Sequence, residues 1–305
     1  MALDEFATIL KARAFVSKIN PTTIPVPMES YLKDAQAVLR LETDMGPDEA
    51  GCSITLGGKR YICVNANDRE ERRRFTICHE IAHIVLGLPS DHNAQPWWSA
   101  KRPLAERLCD VFAAELLLPH DLFQPVAEEV VVSLVSIERL ANEFCASFTA
   151  TGSRYAASVS TPCAFVLSED GQVRYSSRSK ALIDARAWIA PRREVPNTTL
   201  SHRVRNGDLP ERCEVDADIW FDGWERGGTL LEEARHLPQW DQTVSLLWFE
   251  NEEVPGGATV AQRRPESRWS YEGRETPHRR DDQEDEFGLK ELDGHLRFPG
   301  RRRRR

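Results

Sequence analysis

Apolar positions recur at helical spacing near the start of the chain, over Leu3–Lys18 and again over Met28–Leu41. Asn20-Pro21, Pro25 and Pro27 interrupt the pattern and separate the two helices. The period then changes. Cys52–Leu56 and Arg60–Asn65 are short β-prone runs around Gly57-Gly58-Lys59, which predicts a hairpin. A helix follows from Asp68 to about Leu86, opened by a capping-box pair, Asp68 and Glu71, and closed by Gly87 and Pro89. Its apolar residues, among them Phe75, Ile77, Cys78, Ile81 and Ile84, cover most of the circumference, so this helix should be largely buried.

A polar stretch, Ser90–Ser99, contains Trp97 and Trp98 and precedes a second strong helix over Pro103–Leu118. Residues 133–158 predict two short helices with a break near Cys145–Ser147. Beyond them, Cys163–Leu167 and Val173–Ser176 flank Glu169-Asp170-Gly171, a second hairpin. Ser179–Ile189 reads as a helix, Val215–Phe221 and Thr243–Phe249 as strands, and Leu230–His236 as a helix between them. After Asn251 the chain is charged and poor in apolar residues, which predicts disorder. The expected organisation is a first domain at 1–125, a helical segment at 126–160, an α+β domain at 161–251 and a disordered tail at 252–305.

The net charge of −8 argues against nonspecific attachment to nucleic acid or to an acidic membrane. No apolar run has the length of a membrane span, and the N-terminus lacks the apolar core of a secretory signal. The cysteines at 52, 63, 78, 109, 145, 163 and 213 form no CxxC pair and read as reduced thiols. The expected compartment is the cytoplasm.

Chemistry concentrates in HEIAH, residues 79–83. His79 and His83 lie one helical turn apart on one face, so both imidazoles can reach a single tetrahedral Zn2+. Glu80, turned about 100° from His79, aims its carboxylate beside the metal and suits a general base acting on water. The spacing can arise by accident, but two histidines and a glutamate on a buried helix would cost about 1–3 kcal/mol each without partners. A catalytic site usually has a third protein ligand. The position six residues past His83 is Pro89, so the three-histidine pattern of metzincins fails. Glu106, on the following helix, is the preferred third ligand, with Asp110 accepting the other ring N–H of His79. Asp110 as direct ligand, Cys109 and His92 stay open as alternatives.

RRRFTICHEIAHIVLG (72–87), ERLCDVFAAELLLP (106–119) and the preceding RYICVNAND (60–68) resemble the ImmA/IrrE family of metallo-endopeptidases. The resemblance implies a zincin-like, gluzincin-type fold with His79, His83 and Glu106 as metal ligands and Glu80 as the catalytic glutamate. Cys109 and Asp110 stand where the family's E-x-x-A-N motif has alanine and asparagine. The implied substrates are helix-turn-helix transcriptional repressors, with an antitoxin as a further possibility, and the implied setting is stress-linked transcription regulation. The resemblance also suggests a helix-turn-helix-like unit at 136–157 and a GAF- or PAS-like module at 161–250.

Several features are open in sequence alone. Tyr61–Val64 suits either an edge strand that binds an extended peptide or an ordinary hairpin strand. Tyr155, His120 and His92 are all candidates for stabilising an oxyanion. Direct DNA contact is disfavoured, because Arg154 is the one basic residue of the second short helix. Trp220, Trp224 and Trp248 read as core, and the terminal arginines as a solvated tail. Two rival functions remain beside the endopeptidase: a non-catalytic anti-repressor, and the toxin of a toxin–antitoxin pair.

Overall fold

The computed structural model describes residues 4–46, 49–89, 103–208, 212–250 and 253–255. The polar stretch with His92, Trp97 and Trp98, and the proposed disordered tail apart from 253–255, lie outside the described residues. The fold is mixed α+β, with two sheets.

Helix α1 (Glu5–Ile19) begins where Asp4 accepts a hydrogen bond from Ala7 N at 2.7 Å and stops at Asn20, which is left-handed. The helix expected over Met28–Leu41 is cut in two. Only Met28–Asp34 is helical (α2), and Ala37–Glu42 is a strand (β1). Gln36 at φ 54° ends the helix, and the run that follows pairs in parallel with the strand Lys59–Asn65 (β3). The partner strand across the predicted hairpin is Gly51–Leu56 (β2), and Gly57 and Gly58 adopt the positive φ values such a turn requires. The sheet order is β1-β3-β2. The stretch Tyr61–Val64 is therefore central, bonded on both sides, and cannot add a peptide strand. The edge beside the candidate site is β2.

Helix α3 (Glu70–Leu86) packs on both β2 and β3. Its start differs from expectation. The N-cap is Arg69 with no side-chain cap, and Asp68 instead pairs with Arg72 at 3.1 Å. Helix α4 (Leu104–Leu117) lies along α3 and α1 and is buried from Leu108 onward. Helix α5 (His120–Glu129) was not foreseen, because Pro125 inside it reads as a breaker. Pro125 is the sixth residue of the helix, so it forgoes the hydrogen bond to the Asp121 carbonyl, and the helix persists with Phe123 and Ala127 buried.

The two short helices stand as predicted, at Leu134–Phe144 (α6) and Phe148–Ser158 (α7), with Cys145 left-handed between them. Ser133 and Ser147 cap them. Every residue of α7 from Thr149 to Ala156 is buried. A helix enclosed on this scale cannot present a reading face to a DNA groove.

Five antiparallel strands follow: β4 (Cys163–Glu169), β5 (Gln172–Arg178), β6 (Cys213–Asp216), β7 (Thr229–Leu237) and β8 (Gln242–Trp248), in the order β5-β4-β8-β7-β6. Three expectations change here. Ser179–Ile189 shortens to Lys180–Asp184 (α8). The strand Val215–Phe221 becomes β6 followed by one helical turn, Ala217–Trp220 (α10). Leu230–His236, rich in helix formers, is a strand inside β7. Its neighbours β6 and β8 bond it on both sides, and Leu230, Glu232 and Ala234 point inward with the period of a strand. Tertiary pairing outweighs helix propensities of a few tenths of a kcal/mol per residue. A helix at Leu200–Arg205 (α9) was also unforeseen. Its first turn covers the buried Glu232 carboxylate, which accepts hydrogen bonds from Leu200 N and Ser201 N and, from α10, Trp220 Nε1.

Alternate residues of the central strands enter two different cores. Cys163, Phe165, Leu167, Val244, Leu246 and Trp248 join the cluster that also contains α1, α3, α4 and α7 residues. Ala164, Val166, Leu247 and Leu230 join the cluster built on Leu182, Trp220 and Phe221. The sheet is thus a wall shared by both. Gly152 permits the close seating of α7, since a Cβ there would meet the Phe165 ring at 2.3–2.6 Å.

Candidate metal centre

Helix geometry places His79 and His83 one turn apart, and the structure aims them at each other: His83 Nε2 lies 3.0 Å from His79 Nε2. Glu106 enters from α4. Its Oε2 is 3.2 Å from His79 Nε2 and its Oε1 is 3.4 Å from His83 Nε2. These three residues are the one His/Cys/Asp/Glu cluster with metal-ligand spacing among the described residues. Groups about 2.0–2.1 Å from a tetrahedral cation stand about 3.3 Å apart, so the observed triangle has the size of one coordination face.

The protons on the rings are held away from that face. Asp110 Oδ1 stands 2.8 Å from His79 Nδ1 and accepts its N–H. The Leu88 carbonyl lies 3.4 Å from His83 Nδ1. That second partner depends on how α3 ends. Gly87 turns left-handed at φ 67°, the chain folds back, and Leu88 returns over the last turn. With both Nδ1 atoms donating outward, both Nε2 lone pairs face the Glu106 carboxylate. Three electron-rich groups at this separation require a cation between them. Burial opposes the charged ring of His79, but hydrogen bonds to Asp110 and Glu106 outweigh it and raise its pKa to about 10. Burial likewise opposes the Glu106 carboxylate, and the two imidazoles outweigh it and lower its pKa. The donor set fits a divalent cation.

Glu80 is buried at 4% exposure, and its Oε2 has no hydrogen-bond partner among the described residues. An unpartnered buried carboxylate oxygen is costly unless a ligand meets it. Its charge is felt by His79 and by Cys52 of β2, so it lies near both.

Other sequence candidates go elsewhere. Cys109 is fully buried in the α3/α4 core, and all seven cysteines are free thiols. Tyr155 is buried, its pKa raised by that burial, and the groups facing it are Cys163 and Glu128. His120 faces Arg13, Arg154 and Glu115. Neither joins the cluster. Arg154 is 4% exposed and grips Glu115 through two bonds of 2.6 and 2.9 Å, so it is unavailable to a phosphate. Two participants escaped sequence reasoning. One is the Leu88 carbonyl, for which the Gly87 cap was the available signal. The other is a cleft of about 180 Å3 beside His83, lined in part by Ser53, Ile54 and Thr55 of β2.

Comparison with known proteins agrees with the geometry. Residues 35–155 match the IrrE N-terminal-like domain family. The radiation response metalloprotease IrrE of Deinococcus deserti is 40% identical over 65 residues, 20% of this chain and 23% of that protein. Its namesake from Deinococcus radiodurans is 31% identical over 105 residues, 33% of this chain and 31% of that protein. The matched segment thus spans less than a third of either relative. A solved structure described as a Mycobacterium tuberculosis transcriptional regulator shares the fold at TM-score 0.51 and 15% identity, over 83% of this chain and 92% of that one. Among the described residues no helix is long and apolar enough to cross a membrane. Residues 35–155 are thus similar to the IrrE N-terminal-like domain, and part of that segment to two metalloproteases.

Proposed function

We propose that the chain is a zinc-dependent endopeptidase acting on a protein partner. The observation that carries the reading is the convergence of His79 Nε2, His83 Nε2 and a Glu106 carboxylate oxygen, beside the unpartnered carboxylate oxygen of Glu80. The mixed imidazole and carboxylate donors favour zinc over magnesium or calcium, which prefer all-oxygen sites. Zinc bound there would supply Lewis acidity, lowering the pKa of a water molecule and polarising a peptide carbonyl.

The protein's own groups do the rest. Asp110 and Leu88 keep the two imidazoles in the tautomer that presents Nε2. Glu80 takes the proton of the attacking water at Oε2 and returns it to the leaving amine nitrogen. The exposed edge of β2 offers backbone groups to an extended peptide, a role the sequence left open for the strand Tyr61–Val64. The family resemblance points to a helix-turn-helix repressor as the substrate. The same resemblance supports a GAF- or PAS-like module at 161–250, where a five-stranded antiparallel sheet stands.

The experiment is a Glu80→Gln variant tested beside the native chain, with a candidate repressor and measured metal content. Native chain with about one zinc should yield fragments, and the variant should keep its metal and yield none. Derepression that survives in the variant would favour an anti-repressor that works by binding. Growth arrest on expression alone would favour a toxin.

A further inference from the structure

Between the edge strand and the end of the α3 helix lies the cleft of about 180 Å3, and His83 forms part of its wall. We propose that this cleft is a subsite for an acidic side chain of the bound peptide, with Arg60 as its specificity-determining residue. The inference rests on the peptidase reading above and names the substrate preference of that site.

The cleft is smaller than the several hundred Å3 of a typical small-molecule pocket, so it suits one side chain rather than a whole metabolite. Because His83 is in its wall, the residue seated there lies next to the bond under attack. Ile54, Ile84 and Leu88 provide aliphatic surface, and Ser53 and Thr55 provide hydroxyls. Among the described residues, Arg60 is the one charged side chain in the wall besides the His83 imidazole, and no carboxylate lines it.

Arg60 sits at the start of β3, opposite Thr55, with its side chain exposed. One of its N–H groups donates to the Ala35 carbonyl at 3.1 Å, which orients the guanidinium. It makes no ion pair among the described residues. Four of its five N–H donors are left for a ligand, in the planar fork that matches a carboxylate. An aspartate or glutamate would lay its methylene stem on the aliphatic wall and its carboxylate on Arg60. A lysine or arginine would meet like charge. Leucine would fit the wall without using Arg60.

The test profiles cleavage of a mixed peptide library by the zinc-loaded full-length chain, reading residues around each cut by mass spectrometry. The expected result is enrichment of Asp and Glu at one position adjacent to the cut, by roughly 5- to 30-fold in kcat/KM, as suits a partly exposed charge-assisted contact. Arg60→Ala should remove that enrichment, and Arg60→Glu should shift it to Lys and Arg. Cuts with no acidic preference, or a preference that persists in Arg60→Ala, would overturn the inference and leave the peptidase reading intact. Cuts confined to the last bond of peptides with a free C-terminus, and lost on amidation, would show that Arg60 reads a terminal carboxylate and overturn the side-chain assignment. No cleavage by the native chain would overturn both readings.

Discussion

Asp110 Oδ1 lies 2.8 Å from Nδ1 of His79, across the α3–α4 contact, with Asp110 itself 2% exposed. A carboxylate in that place fixes which ring nitrogen carries the proton and makes the other a stronger donor to a metal. Asp110→Asn should therefore weaken zinc binding by about 10- to 100-fold. Competition with a chromogenic chelator measures this. Unchanged affinity would remove Asp110 from the metal site.

The metal should also act on stability. The cluster joins α3 to α4, so a cation bound there favours the folded chain over the unfolded one. Zinc at about 100 times its dissociation constant adds about 2.7 kcal/mol. Chelation should lower the native chain's Tm, with no such effect in a His79→Ala/His83→Ala double variant. Equal Tm values with and without chelator would contradict a folded-state metal site.

Glu115 and Arg154 form a two-bonded ion pair in the interior. Glu115 is 1% exposed, and Arg13 adds a third guanidinium bond at 3.2 Å. Removing one partner strands a buried charge, so Arg154→Met should cost about 3–5 kcal/mol in urea unfolding. The pH dependence follows from direction. Burial opposes the Glu115 carboxylate, but Arg154 and Arg13 outweigh it and lower its folded-state pKa. Its contribution is complete above the ordinary glutamate value and is lost as pH falls through the lowered one. In Glu115→Gln that acid-side loss should be smaller.

Gly152 offers a packing test. Alanine would gain about 1 kcal/mol of helix propensity, but its Cβ would enter the Phe165 ring. Overpacking costs about 1–3 kcal/mol, so Gly152→Ala should be net destabilising by calorimetry. Pairing it with Phe165→Leu should recover part of the loss. A more stable single variant would show that the sheet gives way to α7 at little cost.

Short-range geometry was readable from residue order. Four-residue spacing put His79 and His83 on one face, Gly87 ended their helix, and Gly57-Gly58 turned the hairpin. Each depends on backbone torsions and contacts within a turn or two. Other features depend on partners far along the chain. Glu106 and Asp110 were plausible acids on a helix until α4 packed against α3 and brought them to the two imidazoles. Leu230–His236 looked helical until β6 and β8 claimed its backbone. The place of Tyr61–Val64 inside its sheet came from β1, a run that local periodicity had assigned to a helix. Arg154, a lone cation in the sequence, was claimed by Glu115, 39 positions away. Local torsional preferences amount to tenths of a kcal/mol per residue, whereas pairing, burial and ion contacts between distant segments are larger and have no signature in neighbouring residues.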